Sequence, residues 1–498
     1  MSLIGIDLGT SGVRAAAYSA DGALLASAGV PITLDRGADG LATIDAEAVA
    51  AAVEAAIRTV VADPAVLADA VLAVSFSVLG EAVVPVDARG NALAPAPVSM
   101  DRRGMQAASD LGDRLGSDRV HSITGQPLHP MFSIYKIAAG GPGWSGAEVA
   151  GYRCMDGFVA ERLGAQPAID YSMAARTGAF DVTTLAWSAE ILSAVRNGGA
   201  EWVDARLLPR VVAPGSVIGA VSDSAAGRTG LAAGTLIVAG LHDQAASFVG
   251  AGGRAGTSSV FALGSSDCLT VATMGRPAGL GDTGFASYPI GEGLWITLAG
   301  TASGGWALEW FASLVGQDIA TVFDAPAPHP PRLIVLPYFT GSGTLDNDTQ
   351  ARGVVAGLTL TTTREELSRG FLEASGFELA KILDAFATAG VDSGRIVAVG
   401  SGAANRAALD VRANAAGVEL TADPGGTSAR GAALLAGVGA GLYPGLSAVP
   451  AAEASMNTSK PDPTTRPWYD SQRAAYRELY RAMQPINKSL SHTEEKSQ

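Results

Sequence analysis

The sequence predicts an α/β protein of two related domains that face one cleft, and three observations carry that reading. Residues 3–86 read as an antiparallel meander followed by a helix and further strands. From residue 258 the strand-turn-strand theme returns. A chain of 498 residues, 48% of them hydrophobic and 16% charged, is long enough for two domains that each bury a core.

The elements follow in order. Residues 3–7, 13–19 and 23–30 read as a three-stranded meander, because Ser19-Ala-Asp-Gly22 is a turn between apolar runs. Residues 45–62 read as a helix with Asp45 as N-cap and Pro64 just past its end. Strands are expected at 71–77 and 82–86, the second ending in the turn Asp87-Ala-Arg-Gly90. A strand at 235–240 leads into a loop and helix over 241–252, where the domain boundary falls: 1–245, 246–484 and a polar, frayed tail at 485–498. Residues 258–263 and 268–273 flank the turn Gly264-Ser-Ser266, the Pro-rich run 325–331 is a loop, and a strand at 396–399 opens a helix running through Asn414. This arrangement resembles the ribonuclease-H-like fold of the actin and hexokinase-type ATPases.

Composition narrows the partners. A net charge of −14 argues against a nucleic-acid backbone or an anionic membrane, whereas a small anion can still bind a pocket of backbone N–H groups and a few arginines. Cys154 and Cys268 stand in no metal or redox spacing and read as buried apolar residues in a reducing compartment. No basic segment precedes an apolar run and cleavage site at the start, and stretches such as 231–241 are too short to span a bilayer, so a cytoplasmic setting is expected.

Ile4-Gly-Ile-Asp-Leu-Gly-Thr-Ser-Gly-Val-Arg14 delivers Asp7 into a glycine-punctuated turn. Positive φ at Gly9 and Gly12 would aim backbone N–H groups at phosphate oxygens, with Thr10, Ser11 and Arg14 adding donors and charge and Asp7 holding a hydrated divalent cation. An ordinary hairpin fits the same residues. Gly264, Ser265 and Ser266 form a second hydroxyl-rich turn. Asp243 follows an apolar strand end, where a carboxylate can orient an attacking hydroxyl and accept its proton, or simply cap a helix.

Four segments, Gly5-Ile-Asp-Leu-Gly-Thr-Ser-Gly12, Leu241-His-Asp-Gln-Ala-Ala246, Leu263-Gly-Ser-Ser266 and Val399-Gly-Ser-Gly-Ala-Ala-Asn405, resemble in order and spacing the FGGY carbohydrate kinases, over residues 3–443. The resemblance implies transfer of the ATP γ-phosphoryl group to a terminal hydroxyl of a sugar, polyol or sugar acid, with gluconate or a ketopentose favoured. It implies Asp243 as general base, Gln244 orienting the substrate and Asp7 positioning Mg2+. Gly9, Thr10, Ser11 and Arg14 then belong to the first phosphate motif and Gly264, Ser265 and Ser266 to the second. Gly305, Gly400, Gly402 and Asn405 would line the adenosine side, while Gly80, Glu81, Asp101 and Met131 of the His129-Pro-Met turn would meet the acceptor. For Arg103 a role bracing Asp101 is preferred to ligation. A homodimer is common in the family.

Several positions depart from the family pattern: Ser99 replaces a tryptophan, Ser401 a glycine, Asn414 an aspartate, and Gly341-Ser-Gly-Thr-Leu-Asp-Asn-Asp348 a Gly-Glu-Arg-x-Pro run. They define the second reading, a sugar- and nucleotide-binding regulator of the same fold. Against it stand Asp7 and Asp243 together, a pair that a protein relieved of catalysis has no chemical reason to carry.

Overall fold

The computed structural model describes residues 1–37, 40–280, 284–301, 303–451 and 457–495. Strand β1 (Ser2–Leu8) runs antiparallel to β2 (Gly12–Ser19), and β2 to β3 (Leu24–Pro31). Helix α1 (Ala46–Val61) starts at Asp45, whose carboxylate accepts from the N–H groups of Glu47 and Ala48, and returns the chain to β4 (Val71–Val78), parallel to β1. After the short helix α2 (Tyr171–Arg176) come β5 (Val217–Ala220), β6 (Leu236–Val238) and β7 (Leu241–His242). The sheet order is β5-β6-β4-β1-β2-β3, with β7 also paired to β4. Helix α3 (Asp243–Gly250) then leaves the sheet.

The second sheet opens with β8 (Ser258–Leu263), β9 (Asp267–Met274), β10 (Ala286–Gly291) and β11 (Leu294–Gly300), which pair antiparallel among themselves. Helices α4 (Gly305–Leu314) and α5 (Arg364–Thr388) lead to β12 (Arg395–Val399), parallel to β8. Helix α6 (Arg406–Ala416), β13 (Leu420–Asp423), helix α7 (Thr427–Gly439), β14 (Thr458–Ser459) and helix α8 (Arg466–Glu495) complete it. Its order is β10-β11-β9-β8-β12-β13-β14. In each sheet a meander (β3-β2-β1; β11-β9-β8) is followed by parallel strands (β4 and β6; β12 and β13), so the β1–β2 and β8–β9 turns occupy equivalent places.

Helix α7 lies in sequence between β13 and β14 of the second sheet yet packs against β1 and β4 of the first, as well as against α3. An ideal Cβ on Gly5 would lie 1.8 Å from the Ala429 carbonyl oxygen, so only glycine lets strand and helix approach this closely. With α1 over β2 and β3, β1 is buried almost throughout, which explains its near-continuous apolar run.

The expected frayed tail is corrected. Helix α8 continues through Pro485 to Glu495, and residues 496–498 lie outside the described residues. Tyr469, Tyr476 and Tyr480, spaced at helical intervals, bury one face of α8, and Asn487 is buried beyond Pro485. The Tyr476 hydroxyl donates to Glu378 Oε1 at 2.7 Å, tying α8 to α5.

Candidate active site

Asp7, Ser77 and His242 stand at the carboxyl ends of the parallel strands β1, β4 and β7, where open α/β sheets present their ligand crevices. Ser77 Oγ donates to Asp7 Oδ1 at 2.7 Å, which leaves Oδ2 without a partner among the described residues. Burial raises the Asp7 pKa, and the Ser77 hydrogen bond and the Arg14 charge only offset it. Such a hard, desolvated carboxylate fits Mg2+, which keeps most of its waters and needs one or two carboxylates beside substrate phosphates. Among the described residues no cluster of three or more His, Cys, Asp or Glu forms a self-sufficient metal site. A metal held here would therefore rest on Asp7 and the oxygens of a bound nucleotide.

Asp243 opens α3 without capping it. His242 is the N-cap, no side-chain cap bond forms, and Asp243 Oδ1 is buried with no hydrogen-bond partner among the described residues. The side chain remains 35% exposed, so the carboxylate has one oxygen buried and the other within reach of solvent. Desolvation, followed by the charges of Asp7 and Glu81, pushes its pKa up to about 7, while Arg176 opposes the shift. A carboxylate poised there is suited to accept a proton near neutrality. We expect kcat/KM for the acceptor to rise with pH through a midpoint near 7 and to level off above it, because the protonated form below that pH has no basic oxygen. A pH–rate profile from 5 to 9 on the free enzyme's kcat/KM is the check; a flat profile across 6–8 removes Asp243 as the titrating base.

The first glycine turn closes through Gly9 N–H to Gly12 O at 3.0 Å, and Ser11 is exposed. Neither Gly9 nor Gly12 has positive φ, which corrects the sequence reading. Gly12 answers to close approach instead, since a Cβ there would stand 3.0 Å from Val30 O on β3. In the second turn Gly264 N–H bonds Ser266 O at 3.3 Å, while Gly264 O and Ser265 O accept from Gly305 N–H (2.8 Å) and Trp306 N–H (3.1 Å) at the start of α4. Cβ atoms on Gly400 and Gly402 would press on Leu263, so this turn, Gly305 and the 400–402 segment form one cluster at the end of β8. Gly400 does have positive φ.

Asn405 is committed on both sides: Oδ1 caps α6 from Ala408 N–H (2.9 Å) and Nδ2 donates to Phe323 O (3.1 Å). The amide thus caps α6 and ties it to Phe323, using one of its two N–H donors and one oxygen lone pair. The Asn414 departure also has a structural reason, because Nδ2 bonds Asp410 O and Oδ1 accepts from Asp462 N–H at 2.7 Å, pinning the approach to α8. In the 341–348 segment, Asp346 pairs with Lys381 and Asp348 accepts from Tyr480.

On the acceptor side Glu81 is buried, 2% exposed, with φ of 70°, and is ion-paired with Arg176. The Arg176 guanidinium also bonds Gln126 Oε1 at 3.0 Å and lies over the Phe132 ring. Lys136 is buried nearby, its pKa lowered to about 8 by desolvation against the pull of Glu81 and Asp101. Asp101 is corrected as a direct substrate ligand. Its two oxygens accept from Ala42 N–H and from the Arg103 backbone, Nε and Nη2, which fills its lone pairs. Arg103 thus braces Asp101. Met131, within the 126–132 loop, is half-buried against the core, and its backbone N–H donates to His129 Nδ1 at 3.2 Å. Gln244 reaches the other domain, where Thr270 Oγ1 lies 3.5 Å from its Oε1.

None of Arg176, Lys136, Ser77, His242 and Tyr288 is read from sequence as a site residue; the last two meet through His242 Nδ1 and the Tyr288 hydroxyl at 2.8 Å. A lone arginine in Ser172-Met-Ala-Ala-Arg176 was the available signal for the first. A surface groove of about 420 Å³ walled by Arg119, Asp181 and Glu190 is lined by none of the site residues named above.

This geometry defines a two-domain α/β fold in which Asp7, Glu81 and Asp243 act on one another electrostatically near the ends of the first sheet's strands. The chain belongs to the FGGY family of carbohydrate kinases: the family's N-terminal domain matches residues 2–250 and its C-terminal domain residues 252–440. Such enzymes are phosphotransferases with an alcohol group as acceptor. The chain is 29% identical over 464 residues to a glycerol kinase of Citrifermentans bemidjiense, covering 88% of this chain and 90% of that one. It is 28% identical over 500 residues to the xylulose kinase of Escherichia coli, covering 97% and 99%. The fold matches the crystal structure of xylulose kinase from Rhodospirillum rubrum with a TM-score of 0.85 at 23% identity, over 98% of this chain and all of the other. No described helix is long and apolar enough to cross a membrane.

Proposed function

We propose that this protein transfers the γ-phosphoryl group of ATP to a terminal hydroxyl of a small polyhydroxylated acceptor, with gluconate or a ketopentose favoured, in the cytoplasm. The observation that carries the reading is Asp243: a carboxylate with pKa near 7, partly exposed, standing in the field of both Asp7 and the buried Glu81. The acceptor hydroxyl gives its proton to Asp243 as its oxygen attacks the γ-phosphorus, and the bond from that phosphorus to the ADP leaving oxygen breaks in line. Gln244 orients the acceptor, and the two glycine turns offer N–H and hydroxyl donors to the phosphates. Mg2+ held through Asp7 would supply charge neutralisation on the triphosphate. Glu81 accepts from acceptor hydroxyls, and the neighbouring cations Arg176 and Lys136 favour a carboxylate or ketone oxygen at the far end of the pocket. Relatives named for xylulose support the ketopentose branch.

The test is an enzyme-linked ADP-release screen with MgATP against D-gluconate, D-xylulose, D-ribulose, glycerol and erythritol, with Asp243→Ala as control. One acceptor should raise ADP release at least about tenfold over the control. If none does, the phosphotransfer reading fails and the regulator takes its place.

A further inference from the structure

The candidate base is linked, through His242, to a side chain of the other domain. His242, 5% exposed, fills the space between Asp243 and Tyr288 of β10: its Nδ1 lies 2.8 Å from the Tyr288 hydroxyl and its Nε2 lies 3.2 Å from Asp243 Oδ1. Gly80 keeps this room, since a Cβ there would stand 3.0 Å from Nε2. The His242 backbone N–H is fixed separately by Ser172 Oγ at 2.8 Å. Tyr288 is fully buried, and the segment bearing it is clamped to the first domain by Ser287 N–H to Gly125 O (2.7 Å) and by the His121 Nε2 contact with Phe285 O (2.8 Å).

We propose that Tyr288, acting through His242, orients the Asp243 carboxylate, so that alignment of the base depends on the approach of the two domains. This rests on the reading of Asp243 as base. The groups facing His242 are Tyr288, Asp243 and Arg176, and those facing Asp243 are His242, Asp7, Glu81, Arg176, Gln244 and Cys268. Burial and the Arg176 charge keep the ring neutral, with one proton to place. Were it on Nδ1, the Nε2 lone pair would face a buried carboxylate oxygen that has no hydrogen-bond partner among the described residues. With the phenol donating to Nδ1, the ring proton sits on Nε2 and faces Oδ1, which satisfies the orphaned oxygen after a small rotation and leaves Oδ2 for the acceptor hydroxyl. His242 and Tyr288 are positioning residues: His242 touches the base, and Tyr288 touches His242.

Two readouts test this on the full-length protein. Long-range proton–nitrogen NMR of the histidine rings, of which the chain has five, reads the tautomer without any turnover assay, so it answers even if phosphotransfer fails. Wild type should carry the His242 proton on Nε2, and Tyr288→Phe should convert the ring to a mixture while the other four histidines keep their shifts. In steady-state kinetics with D-xylulose and D-gluconate, Tyr288→Phe should lower kcat roughly tenfold with acceptor KM held within about twofold. His242→Gln, whose amide N–H reaches about the place of Nε2, should restore most of the activity that His242→Ala loses, and Tyr288→Phe should add no further loss on the Gln background. A proton on Nδ1 in wild type overturns the proposal, as does Tyr288→Phe with unchanged kcat or with an effect on KM alone.

Discussion

Replacing Asp243 with asparagine should lower kcat by about three orders of magnitude, within the range spanned by positioned general bases, and should at the same time make the protein more heat-stable at alkaline pH. The two effects have one cause. Burial and the charges of Asp7 and Glu81 raise the Asp243 pKa from the ordinary carboxylate value of 3.8 to about 7, so the folded state holds a proton that the unfolded chain has already released. A group raised in this way favours the fold below its unfolded pKa, and that contribution disappears as pH climbs through its folded pKa. Asparagine never ionises. The stability gap between variant and wild type should therefore be absent near pH 4, open through pH 5–6, and be full above pH 7. Melting temperatures from pH 4 to 8, paired with an ADP-release assay, check both limbs. A variant that keeps wild-type turnover removes Asp243 from the chemistry; one that loses turnover without the pH-dependent gain shows that the carboxylate is better compensated than its orphaned Oδ1 indicates.

The parts of the site that were legible in sequence are local ones. Gly9–Ser11 and Gly264–Ser266 each lie within a few residues of the strands that display them, so turn chemistry and strand pattern suffice to find them. Asp243 was legible because an apolar strand end precedes it directly. What failed were assignments depending on distant partners. Asp101 looked free until Ala42 and Arg103 filled its oxygens. Ser77 lies 70 residues from Asp7 and strand register joins them, whereas Tyr288 lies 46 residues from His242 and meets it only through packing of β10 against the first domain. The glycines were legible as necessary but misjudged in kind. Gly12 serves close strand approach and not a left-handed turn. The tail was misread because its polarity hid three tyrosines upstream that hold its helix.

Gly431→Ala should destabilise the fold by about 3 kcal/mol or more, at the upper end of overpacking costs, and should cut kcat as well. Helices α3 and α7 cross so closely that an ideal Cβ on Gly431 would lie 1.9 Å from Ala246 O, and one on Gly250 would lie 1.9 Å from Thr427 O. Both obstacles are backbone, so no rotamer change relieves them, and the helices must part by more than about 1 Å to reach an ordinary carbon–oxygen contact near roughly 3.3 Å. Ala246 is one helical turn from Asp243, and α3 begins with that residue. Separating the helices therefore moves the carboxylate, and a displacement of about 1 Å costs on the order of 10²-fold in rate. Gly227→Ala serves as the control: that glycine is exposed, helical and has nothing among the described residues within 4 Å of its Cβ position, so alanine there should be neutral or stabilising by up to about 1 kcal/mol. Chemical denaturation and steady-state kinetics on the two variants decide the matter. If Gly431→Ala matches wild type in both, the crossing yields without strain and the link between helix packing and the placement of Asp243 is broken.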